Sequence, residues 1–258
     1  MIPKLLFPLA FAVATTGALA APVRIAATNG PQTEILDLVR QLGAQSGKLE
    51  LEVVAVHSAD QAHADLLAGR LDASSADDGI AFAERGAGKD RLVIATQTVT
   101  LPMGLYSRKL RTLGALHRGA TVALPKAPHE LARALILLQN YGLIELRDGV
   151  GTRAKITDVV RNRRELRFVA LPPSRLAAAL PRAELVALEF DAAAAIGLEP
   201  ARDSIGIEDG RSPYANVLSV RATDENAAWL KNFVAIYRSS EVQRFILTRF
   251  EDSVRRPW

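Results

Sequence analysis

The chain predicts an α/β fold built as two units. Three observations carry this. Apolar strand-like runs alternate with helical runs along most of its length. Half of the composition, 49%, is hydrophobic, enough for a sizeable core. And the pattern restarts after about residue 107 with no Gly/Ser- or Pro-rich linker between the halves. Alternation of this kind is the signature of sheets flanked by helices. At 258 residues the chain suffices for one large domain or two lobes of about 100 residues each. A two-lobed molecule with its cleft at the C-terminal ends of the strands fits; pattern alone also allows a single doubly wound enzyme.

Taken in order, Met1 to Ala20 reads as a secretory signal: Lys4 in the n-region, an apolar stretch from Leu5 to Val13, and Ala18-Leu19-Ala20 as a small-x-small cleavage site. The apolar stretch is too short to span a membrane. Val23 to Thr28 is a first strand, and Asn29-Gly30-Pro31 a turn. Thr33 to Leu42 is an amphipathic helix through Ile35, Leu38, Val39 and Leu42. Leu49 to Val56 is a second strand, Ala59 to Ala68 a helix ended by Gly69, Leu71 to Ala73 a short strand, and Arg91 to Thr96 another. Gly104 to Ser107 continues toward the second unit. There Thr121 to Leu124 is a strand and Pro128 to Tyr141 a helix, closed by Gly142. Ala154 to Val160 reads as a helical piece, Leu166 to Leu171 as a strand, Ser174 to Leu180 as a helix, and Leu185 to Glu189 as a strand. Asp191 to Ile196 is an Ala-rich turn or helix, Ser212 to Arg221 a strand, and about Asn226 to Phe250 the final helices.

Composition excludes several function classes. The net charge of +4 is mild and aromatics are 5%, so a nucleic-acid-binding stacking surface is not expected. Arg161, Arg163, Arg164 and Arg167 cluster, without a recognition helix or zinc signature; a solvated loop between a helix and a strand is the expected reading, an anion site the alternative. His57, His63, His117 and His129 lack metal-ligand spacing, so no metal and no cofactor is expected. No Gly-x-Ser-x-Gly elbow occurs, and nothing fixes the separation of Asp77, Asp78 and Glu189 as a hydrolase would require. The chain is therefore read as not an enzyme. It has no cysteine, hence no disulfide and no acylation site, and this predicts a secreted, periplasmic protein that is not lipid-anchored.

One resemblance runs nearly the whole mature chain. Pro31 with Glu34-Ile35-Leu36, Gly69-x-x-Asp72-Ala73, Pro102 with Tyr106-Ser107 and Arg108-Lys109, Arg133, Gly142-Leu143-Ile144 and Asp148-Gly149-Val150-Gly151 come first. Gly197-Leu198 with Pro200-Ala201 and Asp203, Glu208-Asp209, and Ser212-Pro213-Tyr214-x-Asn216 follow. In that order and spacing they resemble the NlpA/MetQ family, substrate-binding proteins of methionine-type ABC importers. The resemblance implies a two-lobed, type II-like periplasmic-binding-protein fold. Lobe 1 would comprise residues 21–107 plus 204–258 and lobe 2 residues 108–203. A small amino-acid-like ligand would sit in the cleft, and an inner-membrane ABC permease would be the partner.

The resemblance also implies a site. Arg133 falls where the family grips a ligand carboxylate, a task suited to a guanidinium fork, and Asn216 at one of two family asparagines. Glu189 stands in the place of the other, where it could hold a ligand ammonium. The family's Phe-Gln-His stretch aligns with Ala76-Asp77-Asp78, its tyrosines with Ala81 and Leu101, and a further asparagine with Glu130. The polar anchor is thus partly kept while the aromatic cage is gone, which removes much of the grip on a thioether. Asp77 and Asp78 would add negative charge. The combination suggests a ligand more polar than methionine, cationic, or larger. The alternatives are a repurposed or sensor-type protein that no longer binds methionine, an Arg133–Glu189 salt bridge that holds the cleft shut, Asn216 as a turn-maker only, and Asp77-Asp78 as a solvated turn.

Overall fold

The computed structural model describes residues 21–85 and 91–258; the signal-peptide reading of residues 1–20 lies outside them. In chain order the elements are β1 (Val23–Ala27), α1 (Pro31–Ser46), β2 (Leu51–Ala55), α2 (Ala59–Leu67), β3 (Ala73–Asp78), α3 (Gly79–Glu84) and β4 (Leu92–Gln97). Next come β5 (Gly104–Tyr106), β6 (Thr121–Pro125), α4 (Pro128–Asn140), β7 (Glu145–Leu146), β8 (Val159–Arg161), β9 (Arg167–Leu171), α5 (Pro173–Leu176) and β10 (Leu185–Leu188). The chain closes with α6 (Phe190–Ala194), α7 (Pro200–Asp203), β11 (Gly206–Ile207), β12 (Asn216–Arg221), α8 (Ala228–Tyr237) and α9 (Ser240–Phe250).

Two five-stranded sheets make the two lobes, ordered β2-β1-β3-β12-β4 and β11-β5-β10-β6-β9. The second takes in β5 and β11, which the expected boundaries assign to the first lobe. Neither sheet is purely parallel. β1 runs parallel to β2 and β3, and β6 parallel to β10 and β9, whereas β12 is antiparallel to both β3 and β4, and β5 to both β10 and β11. The reversed strands β5 and β12 arrive from the opposite lobe and enter their sheets from the cleft side. A helical crossover, which would make the entering strand parallel, is absent there.

The first lobe packs α1, α8 and α9 on its sheet through Ile25, Leu36, Val39, Phe233 and Ile246; the second packs α4 on its sheet through Leu105, Leu124, Leu135, Leu138 and Leu185. Apolar residues at helical spacing on α4 supply that face, Pro128 supplies the start, and Gly142 at φ 68° the stop.

Two segments depart from expectation. The strand expected at Leu71–Ala73 begins at Ala73 and runs to Asp78, because Ser74 and Ser75, buried at 1% and 2% exposure, are small enough to pack between β1 and β12. The helical piece expected over 154–160 is one 3-10 turn followed by β8, paired with β7. The arginine cluster consequently lies between two strands, and part of it is structural: Arg164 holds the carbonyls of Gly114 and Leu116, and Arg161 pairs with Glu145 (2.6 Å).

Two segments join the lobes, one between β4 and β5, the other between β11 and β12. The C-terminal tail ties them together. Thr100 and Arg255 exchange both backbone hydrogen bonds (2.8 and 3.0 Å), the Arg255 guanidinium donates to Glu208 O (2.7 Å), and Trp258 Nε1 donates to Thr98 O (2.5 Å).

Candidate functional site

Arg133 projects from the buried side of α4 toward these crossings and is 6% exposed. Its Nε lies 3.1 and 3.0 Å from the two Glu208 carboxylate oxygens, and Nη2 donates to Glu208 Oε2 (2.5 Å) and to Leu101 O (2.8 Å). The Tyr214 ring lies 5.0 Å from the guanidinium carbon. Glu208 also accepts from Met103 N (3.0 Å) and Ser212 Oγ (2.6 Å). Burial opposes the Arg133 charge, but Glu208 outweighs it, with Glu189 and Asp78 adding to the effect, and the guanidinium is held above its ordinary pKa. Nη1 makes no hydrogen bond among the described residues and has only an ion-pair contact, to Glu189 at 3.7 Å. Glu208, which the sequence offered only within a matching Glu-Asp pair, is therefore the true partner of Arg133. The Arg133–Glu189 ion pair of the shut-cleft alternative is present at 3.7 Å, but it does not fill the cleft. A fully engaged carboxylate captured the fork, and the cavity stays open.

That cavity, about 520 Å3, lies between the lobes. It is lined by all six of the residues singled out in the sequence, Asp77, Asp78, Leu101, Arg133, Glu189 and Asn216. Their parts differ. Asp77, 6% exposed, is spent on Arg85 Nε (3.1 Å to each oxygen), with His63 Nε2 at 3.0 Å. Asp78 caps α3 by accepting from Ile80 N and Ala81 N (2.9 Å each), and its other oxygen lies 3.0 Å from His129 Nε2. The solvated-turn alternative fails for both, because they end a strand inside the molecule. Leu101 lends its carbonyl to Arg133. Asn216 opens β12 opposite Asp78, and among the described residues its side chain makes no hydrogen bond, so its part is not confined to a turn.

Glu189 follows β10 and its carboxylate does not cap α6. Its side chain keeps 41% of its surface open to the cleft. The surrounding protein nonetheless pushes its pKa up; Arg133 opposes this and Glu130 adds to it. Burial likewise raises Asp191.

Several lining residues escaped the sequence reading. His129 bridges the lobes: it stands on α4 with Asp78 on one nitrogen and Glu84 at 3.4 Å from the other. Its hydrogen bond to Asp78 raises its pKa against the effect of burial, and Glu84 and Glu130 contribute. Considered only as a metal ligand, it had no partner within reach in sequence. Gln32, 3% exposed, accepts from Thr28 Oγ1 (2.7 Å) and leaves Nε2 without a partner. Glu130 has a buried oxygen, Oε2, with no partner. Among the described residues, no group of three or more His, Cys, Asp or Glu side chains could hold a metal ion.

Two lobes, two crossings and a polar cavity at the strand ends are the architecture of a substrate-binding protein. Residues 23–258 match the family described as NlpA lipoprotein. The chain is 32% identical over 225 residues to the "D-methionine-binding lipoprotein MetQ" of Escherichia coli strain K12, covering 85% of this chain and 82% of that protein. It is 30% identical over 240 residues to "Lipoprotein 28" of the same strain (92% and 88%). A solved nutrient-binding protein from Burkholderia cenocepacia, bound to methionine, superimposes with a TM-score of 0.78 at 31% identity, covering 92% of this chain and all of that one. The chain belongs to the NlpA lipoprotein family.

This corrects the localisation. The expectation of a protein that is not lipid-anchored rested on the missing cysteine; the family is one of lipoproteins, and both relatives above carry that name. No described helix is long and apolar enough to cross a membrane.

Proposed function

We propose that the protein is the substrate-binding component of an ABC-type importer, taking an amino-acid-like ligand between its lobes and presenting it to a membrane permease. The observation that carries this reading is Arg133, a buried guanidinium fixed at the inter-lobe crossings with one nitrogen directed at an open polar cavity. Lobe 1 would comprise the β1–β4 and β12 sheet with α1, α2, α3, α8 and α9, and lobe 2 the β5, β6 and β9–β11 sheet with α4–α7 and the β7–β8 pair.

Function follows from charge and geometry. Glu208 and Leu101 hold Arg133 in one orientation, so its Nη1 is preorganised and little side-chain entropy is lost when an anion arrives. The Asn216 amide and Gln32 Nε2, which make no hydrogen bond among the described residues, approach from the other lobe, so a ligand that contacts both walls favours the closed arrangement. The protein carries out no chemistry on its ligand: the polar groups that line the cavity bind and orient it.

A second reading keeps the fold and drops methionine, as a repurposed or sensor-type binding protein. It is favoured by Glu208, which already neutralises Arg133, and by the acidic wall at Glu189. Calorimetric titration of the purified protein with D- and L-methionine and a panel of other amino acids separates the two. Saturable binding of an amino acid supports the importer component. Silence across the panel supports the repurposed scaffold.

A further inference from the structure

The unengaged groups of the cavity do not balance. On the donor side stand Arg133 Nη1 and Gln32 Nε2, both on side chains more than nine-tenths buried, and the Asn216 amide. On the acceptor side stand three carboxylates, Glu130, Glu189 and Asp191. None of them makes a hydrogen bond among the described residues, all three line the cavity, and only Glu189 has a cation near it, Arg133 Nη1 at 3.7 Å. The other acids there are occupied: Asp77 by Arg85, and Asp78 and Glu84 by His129. Arg133 offsets them only in part: Glu208 engages its Nε and Nη2, and Nη1 reaches Glu189 alone of the three, at 3.7 Å.

A zwitterion supplies one carboxylate and one ammonium. Its carboxylate suits the free donors and its ammonium suits one acid, which leaves two carboxylates crowded and unpaired in a partly enclosed site, an unfavourable arrangement. A metal ion is no remedy, because the acids are not gathered around a common point. The remedy is an organic ligand with positive charge to spare. Phe190 and Leu101 line the same cavity and offer apolar surface to a methylene stem.

We propose that the cleft binds a cationic amino acid, with its carboxylate on Arg133 Nη1 and Gln32 and its two positive groups distributed over Glu130, Glu189 and Asp191. This rests on the reading of the protein as a binding component and names the class of its ligand.

The test is calorimetric titration of the protein with L-lysine, L-ornithine and L-arginine, beside L- and D-methionine, L-leucine and 1,5-diaminopentane, in low and in 0.5 M salt. The same series is run on Glu189→Gln and on the pair Glu189→Gln/Asp191→Asn, whose folding is checked by thermal melting of the ligand-free protein. The expected result is that at least one cationic amino acid binds more tightly than either methionine, and that salt weakens it. Each neutralisation should cost about 10- to 100-fold in its affinity, the range for a hydrogen bond to a charged group. The diamine, lacking a carboxylate, should bind more weakly. Methionine binding more tightly than every cationic ligand, or cationic binding unchanged in the neutralised pair, overturns the ligand class and leaves the binding-protein reading standing. No binding of any amino acid overturns both.

Discussion

Glu130 and Arg133 stand one turn apart on α4, and their charged groups meet opposite fates. Arg133 is buried at the crossings, and its Nε and Nη2 are bound to Glu208 and to the Leu101 carbonyl. Glu130, with Glu189 and Asp191, faces the cavity without a hydrogen bond among the described residues. The first arrangement is closed on itself and serves the architecture. The second is left open at a cost in stability, which is the usual condition of a site that waits for a ligand. The comparison teaches that the residue most easily read from sequence as the ligand anchor is tied first into the lobe crossings and keeps one nitrogen free of hydrogen bonds, while its acidic neighbours are left to the cavity.

The sharpest way to break this contrast is at Glu208. Glu208→Ala leaves a buried guanidinium without its counter-charge and should destabilise the protein by about 3–5 kcal/mol, measured by urea denaturation. A loss under 1 kcal/mol would show that the cavity acids take over the role of Glu208. Trp258→Ala removes the hydrogen bond to Thr98 and the ring near Tyr237 and Arg238. About 2 kcal/mol should be lost, and limited proteolysis should report looser crossings.

A third expectation concerns pH. The Asp78 hydrogen bond raises His129 above 6.5, so its stabilising contribution is complete below pH 6.5 and fades as pH rises through the higher folded value. Burial raises Glu189 and Asp191 above their ordinary 4.5 and 3.8; the penalty for their charge is relieved as pH falls through these raised values. In the other direction, Asp72 and Glu184 are lowered, the first by Arg24 and Arg221 against the effect of burial, the second by Lys109. They withdraw stability only at more acid pH. The melting temperature should therefore peak in mild acid, and His129→Gln should flatten its fall between pH 6 and 8. A melting temperature that rises across that range in the parent protein would refute the His129 latch between the lobes. The smallest effect belongs to Glu189→Gln without ligand. Removing one member of a repelling set should raise stability by less than about 1 kcal/mol, read as a small increase in melting temperature; a decrease would mean that the contact of Glu189 with Arg133 Nη1 outweighs the repulsion.

Much of the frame was legible along the chain. The periodicity of α1, α4 and the last helices, the Pro starts and the Gly142 stop are local signals, since each depends on residues within a few positions of one another. The β3 end was misjudged because its serines read as polar yet are buried by neighbours far away in sequence. Asp77, Asp78, Glu189 and Asn216 were legible as cavity residues only through the resemblance. Nothing local separates a strand-end acid that lines a cleft from one in a solvated turn. Lipid anchoring was misread because one missing residue type was allowed to outweigh the family.

By itself, then, the sequence determined the α/β class, the two units, most of the elements and the family. The tertiary structure alone decided that Arg133 belongs first to Glu208, 75 residues away, that His129 spans the lobes to Asp78 and Glu84, and that Glu130, Glu189 and Asp191 line one cavity without a hydrogen bond among the described residues. The physical reason is that backbone propensity and apolar period act over a few residues, whereas the pairing of charges depends on which distant segments the fold brings within about 4 Å.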